Sequence, residues 1–108
     1  TTYTDLATAG PAVTLSPGAT QDHLIMIASR LRNSNAGVGA FASVSIAGAA
    51  AADLDGIEIN NAANYFLSMG KSIRAASVAN ASTHTMKYRV DANTGTFSNR
   101  RIIGISGI

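Results

Sequence analysis

Apolar and polar residues alternate along most of this chain, and the alternation predicts strands. Val13 and Leu15 stand between small or polar neighbours over Ala12–Ser16, and Pro17-Gly18 closes that run as a turn. Asp22–Asn33 is the longest run. Leu24 to Ile27 is apolar at every position, then Leu31 stands between Arg30 and Arg32. A strand apolar on both sides needs a cover on each face. One cover is an opposing sheet; the other is the N-terminal arm or a second copy of the protein. Ala40–Gly48 sorts Ala42, Val44 and Ile46 from Phe41, Ser43 and Ser45, which predicts a hairpin with the preceding strand across Asn33–Gly39. Ala49–Asp55 is a small-residue loop with room for one helical turn. Ile57–Ile59 is a short strand that Asn60-Asn61 breaks. Asn64–Gly70 and Ser72–Val78 read as a hairpin around Gly70-Lys71, with a helix over Ala62–Met69 as the competing reading.

The last quarter, Ser82–Ser106, reads as two strands joined at Asp91–Gly95, residues that tolerate the positive φ of tight turns. With Asp91 facing Thr96, Val90 and Phe97 are opposed. Tyr88, Met86, Ile103 and Ile105 share their face, and Lys87, Arg89 and Arg100 share the other. Arg101 then lands among the apolar residues. Either a bulge near Asn99–Arg101 resets the register or Arg101 reaches a carboxylate. The count is about eight strands with turn signals between them. It predicts an all-β, single-domain antiparallel β-sandwich, jelly-roll-like, over 11–108, preceded by a short arm over 1–10.

Composition narrows the function classes. Charged residues make up 13% of the chain against 46% hydrophobic, much of it Ala, which suits a surface covered by partners. A net charge of +2 is far below what nucleic-acid binders concentrate, and no aromatic is interleaved with Lys87, Arg89 and Arg100 to stack single strands. No apolar run approaches a bilayer span, and Thr1–Asp5 lacks the start of a signal peptide. Neither nucleic acid nor membrane is expected as a partner.

Reactive chemistry finds no foothold. With no Cys, thiolate metal sites are excluded. The two histidines, His23 and His84, have no H-x-x-H spacing. Asp53-Leu-Asp55-Gly56-Ile-Glu58 echoes a calcium loop but lacks its third acidic ligand and its terminal Glu. There is no G-x-S-x-G, no phosphate-cradling Gly loop, and no singled-out carboxylate pair. No cofactor, no metal and no catalysis are expected. Asn80-Ala81-Ser82 matches a glycosylation acceptor, a frequent chance match.

Three stretches taken in order carry a resemblance: Asp5-Leu-Ala-Thr-Ala-Gly-Pro-Ala-Val-Thr-Leu15, Ile27-Ala-Ser-Arg-Leu-Arg-Asn-Ser-Asn-Ala-Gly37 and Lys87-Tyr-Arg-Val-Asp-Ala-Asn-Thr-Gly-Thr-Phe-Ser-Asn-Arg-Arg-Ile102. Together they resemble the small all-β virion structural domains of tailed bacteriophages, found in decoration and tail-associated proteins. The chain departs from that pattern at Ile103-Gly104-Ile105, and Ala49–Ser72 has no counterpart in it. The resemblance implies a capsid decoration (cement) protein on the virion surface, a homotrimer that bridges major capsid protein subunits. The alternative is a receptor- or carbohydrate-binding module of a tail. On this reading Tyr3, Leu6, Leu24 and Met26 make subunit contacts, and Arg30, Arg32, Lys87, Arg89 and Arg100 face capsid acids.

Overall fold

A computed structural model describes residues 2–60 and 62–107. Thr1, Asn61 and Ile108 lie outside the described residues; they fall in the expected arm, the expected break after Ile59 and the last position of the expected sandwich. Seven strands form among the described residues, against about eight expected: β1 (Ala12–Leu15), β2 (Gln21–Asn33), β3 (Ala40–Ser45), β4 (Ile57–Ile59), β5 (Leu67–Val78), β6 (Ser82–Val90) and β7 (Gly95–Ser106). They make two antiparallel sheets, β1-β6-β3-β4 (sheet A) and β5-β2-β7 (sheet B). The expected all-β antiparallel sandwich is the observed fold. Among the described residues Asp53–Asp55 supplies the single 3-10 turn, and the alternative helix over Ala62–Met69 does not form.

The three expected hairpins are absent. β2 and β3 lie in opposite sheets, and so do β6 and β7. Gly70-Lys71 runs straight through the middle of β5 and pairs with Ala28 and Ile27 of β2. Only β3 and β4 are both consecutive and paired. The reason is burial. Each strand carries one apolar face, and consecutive strands placed in facing sheets bury those faces against each other across the core, while strands distant in sequence supply the lateral pairing. Nested antiparallel pairs result, β3 with β4, β2 with β5 and β1 with β6. That ribbon, wrapped so that successive pairs alternate between sheets, is a jelly-roll path. β7 continues past β6 and pairs with the free side of β2. It has no ribbon partner of its own.

β2 alternates strictly. His23, Ile25, Ile27, Ser29, Leu31 and Asn33 point into the core, while Leu24, Met26, Ala28 and Arg32 are half-buried on the outside. Opposite them sheet A contributes Ala40, Ala42, Val44, Met86 and Tyr88. Asn33 sits where strands give way to loops: its side-chain amide donates to the carbonyls of Gly39 and Ala92.

β7 carries the expected bulge. Its register with β2 slips between Ala28↔Arg101 and Arg30↔Ser98, and Asn99 there has φ 49°. One extra residue inverts the faces beyond it. Phe97 stays inside, but Ile102 and Gly104 take the inward positions, and Arg101, Ile103 and Ile105 turn out to solvent. The expected placement of Ile103 and Ile105 in the core is therefore corrected. Glycine is needed at 104, where a Cβ would meet Leu15 Cδ1 at 3.0 Å and Val13 Cγ1 at 3.2 Å.

The arm lies along this chain's own sheet A. Thr4 and Tyr88 exchange two backbone hydrogen bonds (2.8 and 2.9 Å), and Met86 N–H donates to the Pro11 carbonyl. The buried Tyr88 hydroxyl donates to the Gly10 carbonyl at 2.7 Å. Leu6 packs against the core. Truncating Ile25, fully buried at the centre of β2, to Ala should cost about 2–5 kcal/mol of stability. Urea unfolding checks this; a loss below 1 kcal/mol would contradict the assigned core.

Candidate binding surfaces

The outer faces of the two sheets differ because only one is covered. On sheet A, β3 is buried on both sides. Its outward residues Ser43 and Ser45 donate side-chain hydrogen bonds to the Ala52 and Ala49 carbonyls, both 2.6 Å, which folds the Ala-rich loop down over the strand. Beside that loop runs an open groove of about 1000 Å³ lined by Tyr3, Ala49–Ala52, Asp53, Lys87 and Arg89.

Arg89 organises this side. Its guanidinium lies 3.6 Å over the Phe41 ring, binds Asp53 through Nε (3.1 Å) and Nη2 (2.8 Å), and binds Asp91 through Nη1 (2.7 Å). The Tyr3 hydroxyl donates to Asp53 at 2.6 Å, and Lys87 pairs with Asp5 at 2.7 Å. Arg89, followed by Tyr3, holds the Asp53 carboxyl below its usual range. Burial, followed by Asp53, pushes the Tyr3 phenol up, so it stays protonated and donating.

The expected basic face therefore divides. Lys87 and Arg89 lie outside sheet A, each on an acid of its own chain. Arg100 belongs to the other sheet and turns inward, donating to the carbonyls of Thr8 (3.0 Å) and Gly10 (2.9 Å) beside Tyr88. Arg30 and Arg32 lie outside sheet B, stacked over Phe66 at 4.1 and 4.8 Å. The five cations do not share one surface, because the strands that carry them belong to different sheets. Tyr3 and Leu6, expected at subunit contacts, are engaged within the chain.

The outer face of sheet B has no such cover. Cross-strand register places Met26 beside Ile103 and Leu24 beside Ile105, with Ala28 beside Arg101. Ile103 is 53% exposed and Ile105 43%. Leu24 and Met26 are thus half of an apolar patch whose other half the bulge supplies. The signal for that half was Arg101, the residue that fitted no unbulged register. Next to the patch are Arg30, Arg32 and Arg101, which form no ion pair with any acid among the described residues. Arg74 on the same sheet pairs with Asp22 at 2.7 Å. A Ser77 N–H, followed by Arg74, lowers the Asp22 carboxyl. The acids other than Asp22 all sit on the sheet A side: Asp5 on the arm, Asp53 and Asp55 in the turn over β3, Glu58 on β4 and Asp91 after β6. Charge is segregated between the two faces.

Between the sheets, His23 and His84 meet, both fully buried, with His23 Nδ1 2.9 Å from His84 Nε2. Their tautomers follow from the donors around them. The Ala47 N–H donates to His84 Nδ1 at 3.1 Å, so that nitrogen is bare and Nε2 carries the proton. His84 therefore donates to His23 Nδ1, and His23 carries its proton on Nε2, which finds no partner. Both rings are neutral, and burial, helped by His23, lowers the His84 pKa. No group of three or more potential ligands surrounds them among the described residues. The chain matches no family model, no curated protein and no solved structure.

Two outcomes are expected. A folded-state His84 pKa below the ordinary 6.5 means that the unfolded chain binds more protons in this range. Stability is full above about pH 6.5 and falls as pH drops below it. Replacing His84 with Gln should flatten this part of the curve in urea titrations from pH 7.5 to 5; an unchanged slope would rule out His84 as its source. Arg89→Met should cost roughly 1–2 kcal/mol, because Asp53 and Asp91 are solvent-screened, and should return the Asp53 pKa toward its usual value in carboxyl-resolved NMR.

Proposed function

We propose that this chain is a structural protein of a tailed-phage virion, a decoration (cement) protein that binds the outside of the head and bridges neighbouring major capsid subunits. The single observation that carries the reading is the outer face of sheet B, where four apolar side chains adjoin three arginines without acidic partners among the described residues. A sandwich that was only a scaffold would gain nothing from leaving such a face open, since an exposed contiguous apolar patch is a common mark of interaction sites. The resemblance of Asp5–Leu15, Ile27–Gly37 and Lys87–Ile102 to phage virion domains supplies the partner class.

The mechanism is physical. Leu24, Met26, Ile103 and Ile105 are buried against the shell, while Arg30, Arg32 and Arg101 pair with capsid acids. Each copy binds only where assembled subunits are adjacent, so binding stabilises the shell by mass action and free subunits are left alone. Lys87, Arg89 and Arg100 take a smaller part, because partners within the chain already hold them.

A carbohydrate-binding role at a tail fits the aromatics less well. Phe41 and Tyr88 are buried, Phe97 faces the core and Phe66 lies under Arg30 and Arg32. Tyr65, 55% exposed, is left as a stacking platform.

The test is co-sedimentation with phage heads that lack the protein. Wild-type protein should bind intact heads, more weakly as salt rises. Arg30→Glu combined with Arg32→Glu, or Leu24→Ser combined with Met26→Ser, should weaken binding about tenfold or more while leaving the circular dichroism spectrum unchanged. Quantified gel bands of the virion should show a copy number comparable with that of the capsid subunit. A handful of copies would place the protein in the tail, and absence of binding to heads would reject the reading.

A further inference from the structure

A sheet edge presents unpaired backbone N–H and C=O groups, and proteins blunt such edges in recognisable ways. Three of the four edges here are blunted. β1 is short and bracketed by Pro11 and Pro17, and β4 is shorter still. β5 is long, but Lys71 points to its inner side opposite Ile27, with its ammonium on the Leu54 carbonyl. An inward-directed charge of this kind resists strand addition. The fourth edge belongs to β7, and it is different. Ile102–Ser106 contains neither charge nor proline, and no described residue hydrogen-bonds to its outer side. None of the residues of β7 is fully buried. The ribbon order leaves the outer side of this strand unpaired among the described residues.

We propose that the β7 edge pairs, antiparallel and about a two-fold axis, with β7 of a second copy of this chain. Register selects the occupant. The regular part of β7 runs from Arg100, just past the Asn99 bulge, to Ser106, before Gly107 at φ 75°. Its midpoint is Ile103. A two-fold centred there sets Ile103 against Ile103 of the other copy, Arg101 against Ile105, Ile102 against Gly104 and Arg100 against Ser106. No like charges face each other across the pairing. The two Arg101 side chains stand about 14 Å apart along the strands, beyond a Debye length at physiological salt. The pairing is isologous and closes. The doubled sheet ends in β5 on both sides, the edge that Lys71 already protects, so growth stops at two. The outer patch of Leu24, Met26, Ile103 and Ile105 becomes continuous across the two copies. This two-fold contact stands in place of the trimer that the resemblance implies, and it does not depend on a capsid role.

The chain has no Cys, so introduced thiols report without background. Light scattering after size exclusion should give wild-type protein twice the 11.0 kDa chain mass, and Ile103→Lys should abolish the dimer without loss of folding. Under oxidation Ile103→Cys should form a disulfide-linked dimer, since directly opposed Cβ atoms are about 5 Å apart. Ile105→Cys, on the same exposed face, should not, because its two copies are about 14 Å apart in this register. A monomer up to millimolar concentration, a trimer or an open-ended aggregate would overturn the proposal. So would cross-linking of Ile105→Cys as efficient as that of Ile103→Cys, the mark of sheet faces packed together.

Discussion

β2 has a neighbour on each side, β5 and β7, and neither adjoins it in sequence. The rest of the structure follows from that placement. Its inner residues, from His23 to Asn33, fill the space between the sheets, and sheet A lies across them to exclude water. Because both flanking positions are taken by later strands, the chain has to leave sheet B after β2, return for β5, leave again and return for β7. The loop-closure entropy of these distant pairings, such as Leu15 with Ser82, must be met before burial compensates for it. A fold of this kind forms as one cooperative unit rather than hairpin by hairpin.

The same placement divides the molecule chemically. Sheet A is closed on its outer side by the arm and the Ala-rich loop, and its ions are matched within the chain: Arg89 with Asp53 and Asp91, Lys87 with Asp5. Sheet B has no covering segment, and the bulge at Asn99 turns two isoleucines and an arginine outward onto it. A protein that worked alone would be expected to bury or neutralise such a face. The outer face of sheet B is left apolar and cationic, while Lys87 and Arg89 on the opposite side are paired with acids of the same chain. The buried histidine pair adds a constraint on conditions, because burial disfavours the charged form of His84.

Much of this was legible in the chain itself. Alternation located six of the seven described strands to within a few residues, since a half-buried strand needs period two whatever its neighbour is, but it split β5 in two at Gly70-Lys71. Leu24 to Ile27, apolar at every position, marked a stretch in need of cover on both faces, and the misfit of Arg101 raised a bulge as one of two explanations. Pairing was not legible. A strand's own residues state which face is apolar, but every strand needs both a lateral neighbour and a facing sheet, and the pattern does not say which of these the next strand in the chain supplies. The short turn-rich connections therefore read as hairpins where the structure makes crossings.

The sequence by itself thus determined the all-β class, most of the strand positions and the alternation along them, because these depend on local pattern and residue type. The tertiary structure alone decided that His23 meets His84, that Arg100 serves Tyr88 and the arm while Lys87 and Arg89 hold acids elsewhere, and that Ile103 and Ile105 face solvent beside Leu24 and Met26. Each of these depends on which distant strand lies alongside, and one inserted residue at Asn99 reverses the side on which everything after it appears.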